Sequence, residues 1–439
     1  MHQRILASSA AILGRQPHQQ LRTISRAEGF ALIDTSGKRY TDGISGAYAA
    51  VLGYSEVDLA ECLFETSSLL PYVHSARFDN AYAVSLADKL SGSLHGVKYR
   101  AYFSVSGSDG VEAALRIARS YQHSVGSRRR WRTIALSYSY HGSTLGALTV
   151  TGHETARRSY TELLGDVIRI APPIKALTAG SAKNENDRPY QQLENAFEEP
   201  LVNDVAAFVI EPVLGNAAGC SPIPQDYAER VSALCHRHRI LLICDEITTG
   251  LWRTGPVYSS ERLGMKPDIL ILGKAITAGY FPMSVVLVAD HIAEALTAEV
   301  NLLGHTHSAH PVGAALGSRV IEHLKSPGIS ANRAQLERVF FERLSSLVGV
   351  LPVVGVRGAG LLYSVCLDHD YFQKRCSRNG SSIVYEQALE AGILTMPGVC
   401  ASVGGQVLSD HLTLAPAFNM PQQTLHDFVD TLTGVLGAA

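Results

Sequence analysis

Short apolar runs bounded by glycine or polar residues alternate along this chain with segments whose apolar positions recur at three- and four-residue spacing. Phe30–Ile33 and Arg39–Thr41 flank Asp34-Thr35-Ser36-Gly37, a pattern that predicts a hairpin. Ser55–Leu69 has helical spacing. Tyr102–Val105 predicts a short strand. After it come Ser106-Gly107-Ser108-Asp109-Gly110 and a helix over Val111–Tyr121, with Val111, Ala114, Leu115 and Ala118 on one face. Thr133–Leu136, Ala206–Ile210, Ile240–Cys244, Ile269–Leu272 and Val285–Val288 read as further strands, and Asp226–His238 as an amphipathic helix. Strands alternating with helices predict an α/β fold with a largely parallel sheet. Residues 174–199 are the least apolar stretch and read as a surface excursion. From about Asn332 the pattern changes. A helix over Asn332–Leu347 precedes Val353–Val356, Leu361–Val365 and Leu412–Leu414, which predicts a separate α+β lobe.

Composition narrows the picture. The 439 residues are 46% hydrophobic and 18% charged, which excludes a disordered chain and a coiled coil. With 38 basic and 40 acidic residues the net charge is −2, so nothing electrostatic favours nucleic acid or an acidic membrane surface. No apolar run is long enough to span a bilayer. The seven cysteines lack metal-ligand or redox spacing and read as buried free thiols. Met1–Arg26 carries Arg4, Arg15, Arg22 and Arg26 and no acid, as a transit peptide would. Yet Ala27–Gly43 continues directly as strand–turn–strand, so the expectation is a cytoplasmic protein without a cleaved presequence.

Four segments carry candidate chemistry. Ser106-Gly107-Ser108 lies between a strand and a helix, where backbone N–H groups and serine hydroxyls suit an anion; an ordinary N-cap would use the same residues. Asp245 and Glu246 follow the apolar run Leu241–Cys244, at a strand end where α/β proteins bind ligands. An acid there can hold a metal, orient a histidine, pair with a cationic ring nitrogen or cap the next helix. Lys274 follows another β-run, Ile269–Leu272. Burial there would lower its pKa and suit a Schiff base, whereas a surface turn would leave it inert. Gly304–Pro311 holds His305, His307 and His310, but no cysteine or further acid completes a zinc set. A polar loop donating a hydroxyl fits better.

Together these segments resemble the class III aminotransferases, the ω-amino-acid and amine transaminase branch of pyridoxal-phosphate enzymes of fold type I. The matching stretches are SGSDGVEAALRIAR (106–119), YHGSTLGAL (140–148), FVIEPVLGNAAG (208–219), LLICDEITTGLWRTG (241–255), PDILILGKAITAGYFP (267–282) and GHTHSAHP (304–311), with GFALIDTSGKRYTDGISG (29–46) upstream. Their order and the 29-residue interval from Asp245 to Lys274 also match. The resemblance spans about Gly14 to Phe418. It implies a large domain over 51–330 with a mostly parallel, seven-stranded type of sheet, and a smaller α+β domain built from 1–50 and 331–439.

The resemblance also implies roles. Lys274 would hold pyridoxal 5'-phosphate as a Schiff base, and Asp245 would pair with the pyridine nitrogen. Tyr140 would stack on one ring face and Ile247 would cover the other, with His141 beside them. Gly107 and Ser108 would bind the phosphate. Glu211 would lie near the substrate side of the ring, and Tyr48 would wall the substrate pocket. Thr306 would reach the phosphate in the neighbouring subunit, implying a homodimer with shared sites. The cycle would be ping-pong, from an amine donor to a carbonyl acceptor. Class III aminomutases, epimerases, decarboxylases and lyases keep the same lysine and aspartate. A catalytically silent scaffold protein would have no reason to retain them.

The chain also departs from the pattern. Many members carry a carboxylate-binding arginine where Thr413 stands, and amine transaminases often have a mobile one nearer Gly405-Gln406-Val407. No arginine follows Arg378. A substrate carboxylate would need another partner, with Arg77, Arg157 and Arg158 the candidates, or the substrate lacks one. Trp252 and Ala278 replace glycines, and His307 stands where an aromatic is common.

Overall fold

The computed structural model describes residues 13, 21–92, 96–174, 188–297, 300, 302–349, 352–401 and 407–439. Three strands open the chain: β1 (Ile24–Glu28), β2 (Ala31–Asp34) and β3 (Arg39–Asp42), paired antiparallel in that order. The turn between β2 and β3 forms because Asp34 accepts at Oδ1 from the backbone N–H groups of Ser36 and Lys38. Those donors, with the Ser36 hydroxyl first among them, hold the Asp34 carboxyl down at about 2.

The centre of the molecule is a seven-stranded sheet. Its strands are β4 (Tyr99–Ser104), β5 (Arg132–Leu136), β6 (Val167–Ile170), β7 (Val205–Ile210), β10 (Leu241–Asp245), β11 (Ile269–Leu272) and β12 (Ser284–Ala289). A two-stranded ribbon, β8 (Val213–Leu214) with β9 (Ser221–Pro222), interrupts the series. The spatial order is β4-β12-β11-β10-β7-β5-β6. The ladders β6-β5-β7-β10-β11 are parallel, and β12 runs against both of its neighbours. Every residue of β7, β10, β11 and β12 is buried, which is why these strands read as unbroken apolar runs.

The helix after β4 spans Gly107–Ser124, beginning earlier than the apolar spacing alone predicts. Ser106 caps it by accepting from Asp109 N–H at 3.3 Å, which lets a polar first turn join the helix. Within the polar stretch 174–199 the described part contains the helix Arg188–Ala196; residues 175–187 lie outside the described residues. Most of the N-terminal segment before Leu21 does as well.

A second four-stranded sheet, β13 (Val353–Ala359), β14 (Leu362–Leu367), β16 (Met396–Ala401) and β17 (Val407–Leu414), is ordered β13-β14-β17-β16 and antiparallel throughout. Between them β15 (Ile393–Leu394) pairs parallel with β3, closing the first sheet. The guanidinium of Arg253, fully buried, donates to Leu361 O at 3.1 Å and Pro416 O at 2.7 Å, and stands over the Phe418 ring at 4.6 Å. It fastens the turn after β10 to the second sheet. Burial pushes its pKa down to about 9, which leaves it charged at neutral pH. Among the described residues no helix is long and apolar enough to cross a membrane. Six cysteines are buried free thiols, while Cys376 is exposed.

Candidate active site

The C-terminal ends of the parallel strands deliver the polar residues to one edge of the sheet. Asp245 is the last residue of β10, Glu211 follows β7, Tyr140 and His141 follow β5, Ser106 follows β4 and Lys274 follows β11. That edge is where open α/β sheets bind their ligands.

Asp245 is buried. Its Oδ2 lies 2.8 Å from His141 Nδ1, and its Oδ1 accepts from Ile247 N–H at 3.1 Å. A carboxylate only accepts, so the imidazole carries its proton on Nδ1. His141 Nε2 is buried without a partner among the described residues. Ile247 is wedged between two glycines. A Cβ on Gly107 would come within 2.9 Å of its Cδ1, and one on Gly273 within 3.0 Å of its Cγ2. Those glycines set how closely Ile247 can approach the helix start.

Gly107 and Ser108 occupy the first turn of their helix, where N–H groups lack intrahelical partners. Ser108 Oγ accepts from Ser143 N–H at 3.0 Å, joining this turn to the loop that follows β5. Tyr140 donates its N–H to Glu211 Oε1 at 2.9 Å while the residue stays 46% exposed, which leaves it open to cover a ligand. Glu211 also accepts from Gly215 N–H at 3.2 Å. Burial dominates its environment and, with nearby Asp245 adding to it, pushes its carboxyl up to about 7 against the opposing pull of His141 and Lys274.

Lys274 is held in a left-handed backbone conformation, φ 41°, after Gly273. Its Nζ donates to Thr248 Oγ1 at 2.5 Å and stands 5.4 Å from the centre of the Tyr48 ring. Part of the side chain is exposed, but the amine lies deep in the protein. That depth lowers its pKa; Asp245 and Glu211 oppose the shift, and Arg253 adds to it. Tyr48, also at positive φ, is buried and hydrogen-bonds Met396 Sδ at 2.9 Å.

Thr413 is fully buried in an uncharged cluster. Its hydroxyl donates to Asn216 Oδ1 at 2.7 Å and lies 2.8 Å from Ser364 Oγ and 3.6 Å from Cys220 Sγ. The nearby stretch containing Gly405 and Gln406 lies outside the described residues. Arg77 and Arg158 are exposed and Arg157 half-buried, and among the described residues no ion pair or hydrogen bond joins them to Lys274, Asp245 or Glu211.

The structure therefore brings together Lys274, Asp245, His141, Tyr140, Glu211, Ile247, Gly107, Ser108 and Tyr48. Thr306 stands apart. It is exposed, and its carbonyl accepts from Tyr72 Oη at 3.1 Å. His307 lies edge-on to Tyr72 and beside His310. Among the described residues no group of three His, Cys, Asp or Glu side chains is placed to hold a metal ion. Thr248, Ser143, Asn216 and Arg253 also belong to this site. They are polar loop positions, and neither periodicity nor spacing marks them. The two replaced glycines are conformationally distinctive: Trp252 (φ 67°) and Ala278 (φ 49°) both keep a left-handed backbone.

Comparison with known proteins agrees with this geometry. The chain belongs to the class III aminotransferases, whose sequence profile matches residues 12–436. It is 30% identical over 424 residues to the uncharacterized aminotransferase YodT of Bacillus subtilis (strain 168), covering 94% of this chain and 95% of that protein. A Bacillus anthracis aminotransferase superposes with a TM-score of 0.87 at 28% identity, over 98% of this chain and 96% of that one. An amine transaminase from an uncultivated Pseudomonas species, solved in a PLP-bound form, does so with a TM-score of 0.85 at 28% identity, over 99% and 98%. The fold is thus fold type I, and the class is dependent on pyridoxal phosphate.

Proposed function

We propose that this enzyme moves an amino group between an amine or ω-amino-acid donor and a carbonyl acceptor, with Lys274 as its covalent attachment point for the cofactor. The acceptor carries no strongly held carboxylate beside the reacting carbon; a long-chain or polyketide-like aldehyde or ketone of biosynthesis fits. The observation that carries this reading is the uncharged cluster of Thr413, Asn216, Ser364 and Cys220. A carboxylate entering there would give up water among hydroxyls, an amide and a thiol, with Glu211 close by once ionised; the half-buried Arg357, opposite Ser364 on the neighbouring strand, is engaged with Ser221 Oγ at 3.1 Å.

The residues present fit pyridoxal phosphate. The helix start at Gly107 and Ser108 suits a dianionic phosphate. Tyr140 and Ile247 would flank the ring, Asp245 would take the ring nitrogen, and Thr306 of the neighbouring subunit would complete the phosphate site in a homodimer. When bound, the cofactor supplies an aldehyde and a ring that accepts electrons. The protein supplies the rest. His141 orients Asp245 so that its negative charge is fixed before any cation arrives. The depth of Lys274 favours a free amine, able to attack and then to carry a proton between the donor carbon and the cofactor. Glu211, poised near neutrality, hydrogen-bonds the Tyr140 backbone and so couples ring stacking to the substrate side.

The test is a half-reaction. The cofactor-loaded protein is incubated with a panel of amines and ω-amino acids, and bound pyridoxamine phosphate is quantified by chromatography. Its accumulation with a donor supports transamination. Its absence with every donor, with the lysine still attached to cofactor, overturns transamination in favour of an aminomutase, epimerase, decarboxylase or lyase outcome.

A further inference from the structure

Lys274 must alternate between a bound and a free amine, and the free amine must stay in place to return a proton. Two carboxylates stand near it, yet among the described residues neither hydrogen-bonds or ion-pairs with Nζ. Its direct side-chain partner is a neutral hydroxyl, Thr248 Oγ1, at 2.5 Å. We propose that Thr248 is the positioning residue of Lys274, holding Nζ at one point while the lysine changes protonation state.

A hydroxyl suits this task better than a carboxylate. It accepts from an ammonium and donates to a free amine, so one side chain serves both states. A carboxylate only accepts and would hold the lysine charged. Thr248 is also stiffly mounted. Its β-branched side chain has few rotamers, and it sits in the turn that begins at Asp245. The base of that turn is fixed by Glu246, which accepts from Ser260 N–H at 2.8 Å and from Ser259 N–H. Gly250 N–H closes the turn on Glu246 O at 2.9 Å. Thr248 is thus tied through three residues to the acid assigned to the ring nitrogen.

The charged and titratable groups facing Nζ come from four directions: Asp245 at the end of β10, Glu211 after β7, Arg253 beyond the turn, and the phenol of Tyr48. All four remain when Thr248 is changed. What is lost is the direct acceptor for the ammonium, so the free amine is favoured further.

This inference rests on the proposed role of Lys274 but is tested without turnover. The cofactor-free full-length chain is pulsed with acetic anhydride across a pH series, and acetylation of Lys274 is read by mass spectrometry. The variants are Thr248→Val and Thr248→Ser, with Thr248→Ala as a second hydroxyl-free form and circular dichroism to check folding. The midpoint of labelling should fall by about one pH unit in the Val and Ala variants, the worth of one hydrogen bond to a charged group. Thr248→Ser should restore it. Equal midpoints in wild type and Thr248→Val, or a Ser variant that behaves like Val, would overturn the assignment. A protein that makes no pyridoxamine phosphate overturns the proposed reaction alone, because the labelling midpoints are measured without substrate.

Discussion

His141 Nδ1 and Asp245 Oδ2 lie 2.8 Å apart, and both side chains are out of reach of solvent. The pair fixes a buried negative charge whose other hydrogen-bond donor among the described residues is the Ile247 N–H. His141→Ala should destabilise the cofactor-free protein by about 3 kcal/mol, since it leaves a carboxylate buried with too few donors. Urea unfolding measures this. Adding cofactor should recover more stability in the variant than in wild type, because a ring cation would then face the bare carboxylate.

Lys274→Ala should remove the reducible bond to cofactor. Borohydride treatment followed by digestion should attach a pyridoxyl group to the Lys274 peptide in wild type and to no peptide in the variant. Labelling of another lysine in wild type would end the assignment.

Burial raises both Glu211 and Glu246 to about 7, from an unfolded value near 4.5. The protonated form therefore favours the folded state. The associated stability is fully present below the unfolded value and is lost as pH rises through about 7. Between pH 4 and 8 wild type should lose about 3 kcal/mol per group relative to the matching glutamine variant, Glu211→Gln or Glu246→Gln. Urea midpoints taken across this range, compared variant against wild type, report the difference in slope.

Ala278 is buried at φ 49°, where an L side chain crowds its own carbonyl. Ala278→Gly should raise stability by about 0.5–1 kcal/mol despite the extra freedom glycine gives the unfolded chain. The same change at Trp252 should not, because its ring supports the Arg333 guanidinium at 5.3 Å.

Thr413→Val keeps the shape and removes the hydroxyl. The half-buried Asn216 Oδ1 then loses its donor, which should cost about 1 kcal/mol. Amine turnover should be affected through the Asn216 loop, and no new affinity for α-keto acids should appear, since no cation has been added. Isothermal titration with pyruvate checks the second point.

Much of this site was legible because its acids and its lysine stand at the ends of apolar runs, where a single polar residue is conspicuous. Asp245 and Lys274 are of that kind. Edge strands were harder. The apolar run predicts β4 over Tyr102–Val105, whereas the strand spans Tyr99–Ser104, since Arg100 on this sheet edge faces solvent. β16 begins with Met396-Pro397, tolerable only on an edge, and a proline carries no strand signal. The pattern predicts only Leu412–Leu414 of β17, because Ser409, Asp410 and His411 look like loop residues. They are buried and hydrogen-bonded instead, with His411 Nε2 2.8 Å from Asn216 O. The helix read as Asn332–Leu347 is Pro327–Ser345, with proline in its first turn, where the missing N–H costs nothing. Thr248 was invisible for another reason: its importance lies in a partner 26 residues away.

The parallel pairing of β15 with β3 sets Ile393 beside Thr41. Farther on, Ala415 N–H reaches Gly43 O at 2.7 Å, and Ser45 Oγ reaches Ala415 O. Tyr48, which lies beneath Lys274, follows directly on this seam. During synthesis the segment that shapes the lysine's surroundings therefore waits, edge unpaired, until residues 393–415 have emerged. Contacts so distant in sequence form slowly, and an open strand edge invites wrong partners meanwhile. The surroundings of Lys274 thus close only after the large sheet has been made, and a chain cut short there would leave the open edge of β3 near Tyr48.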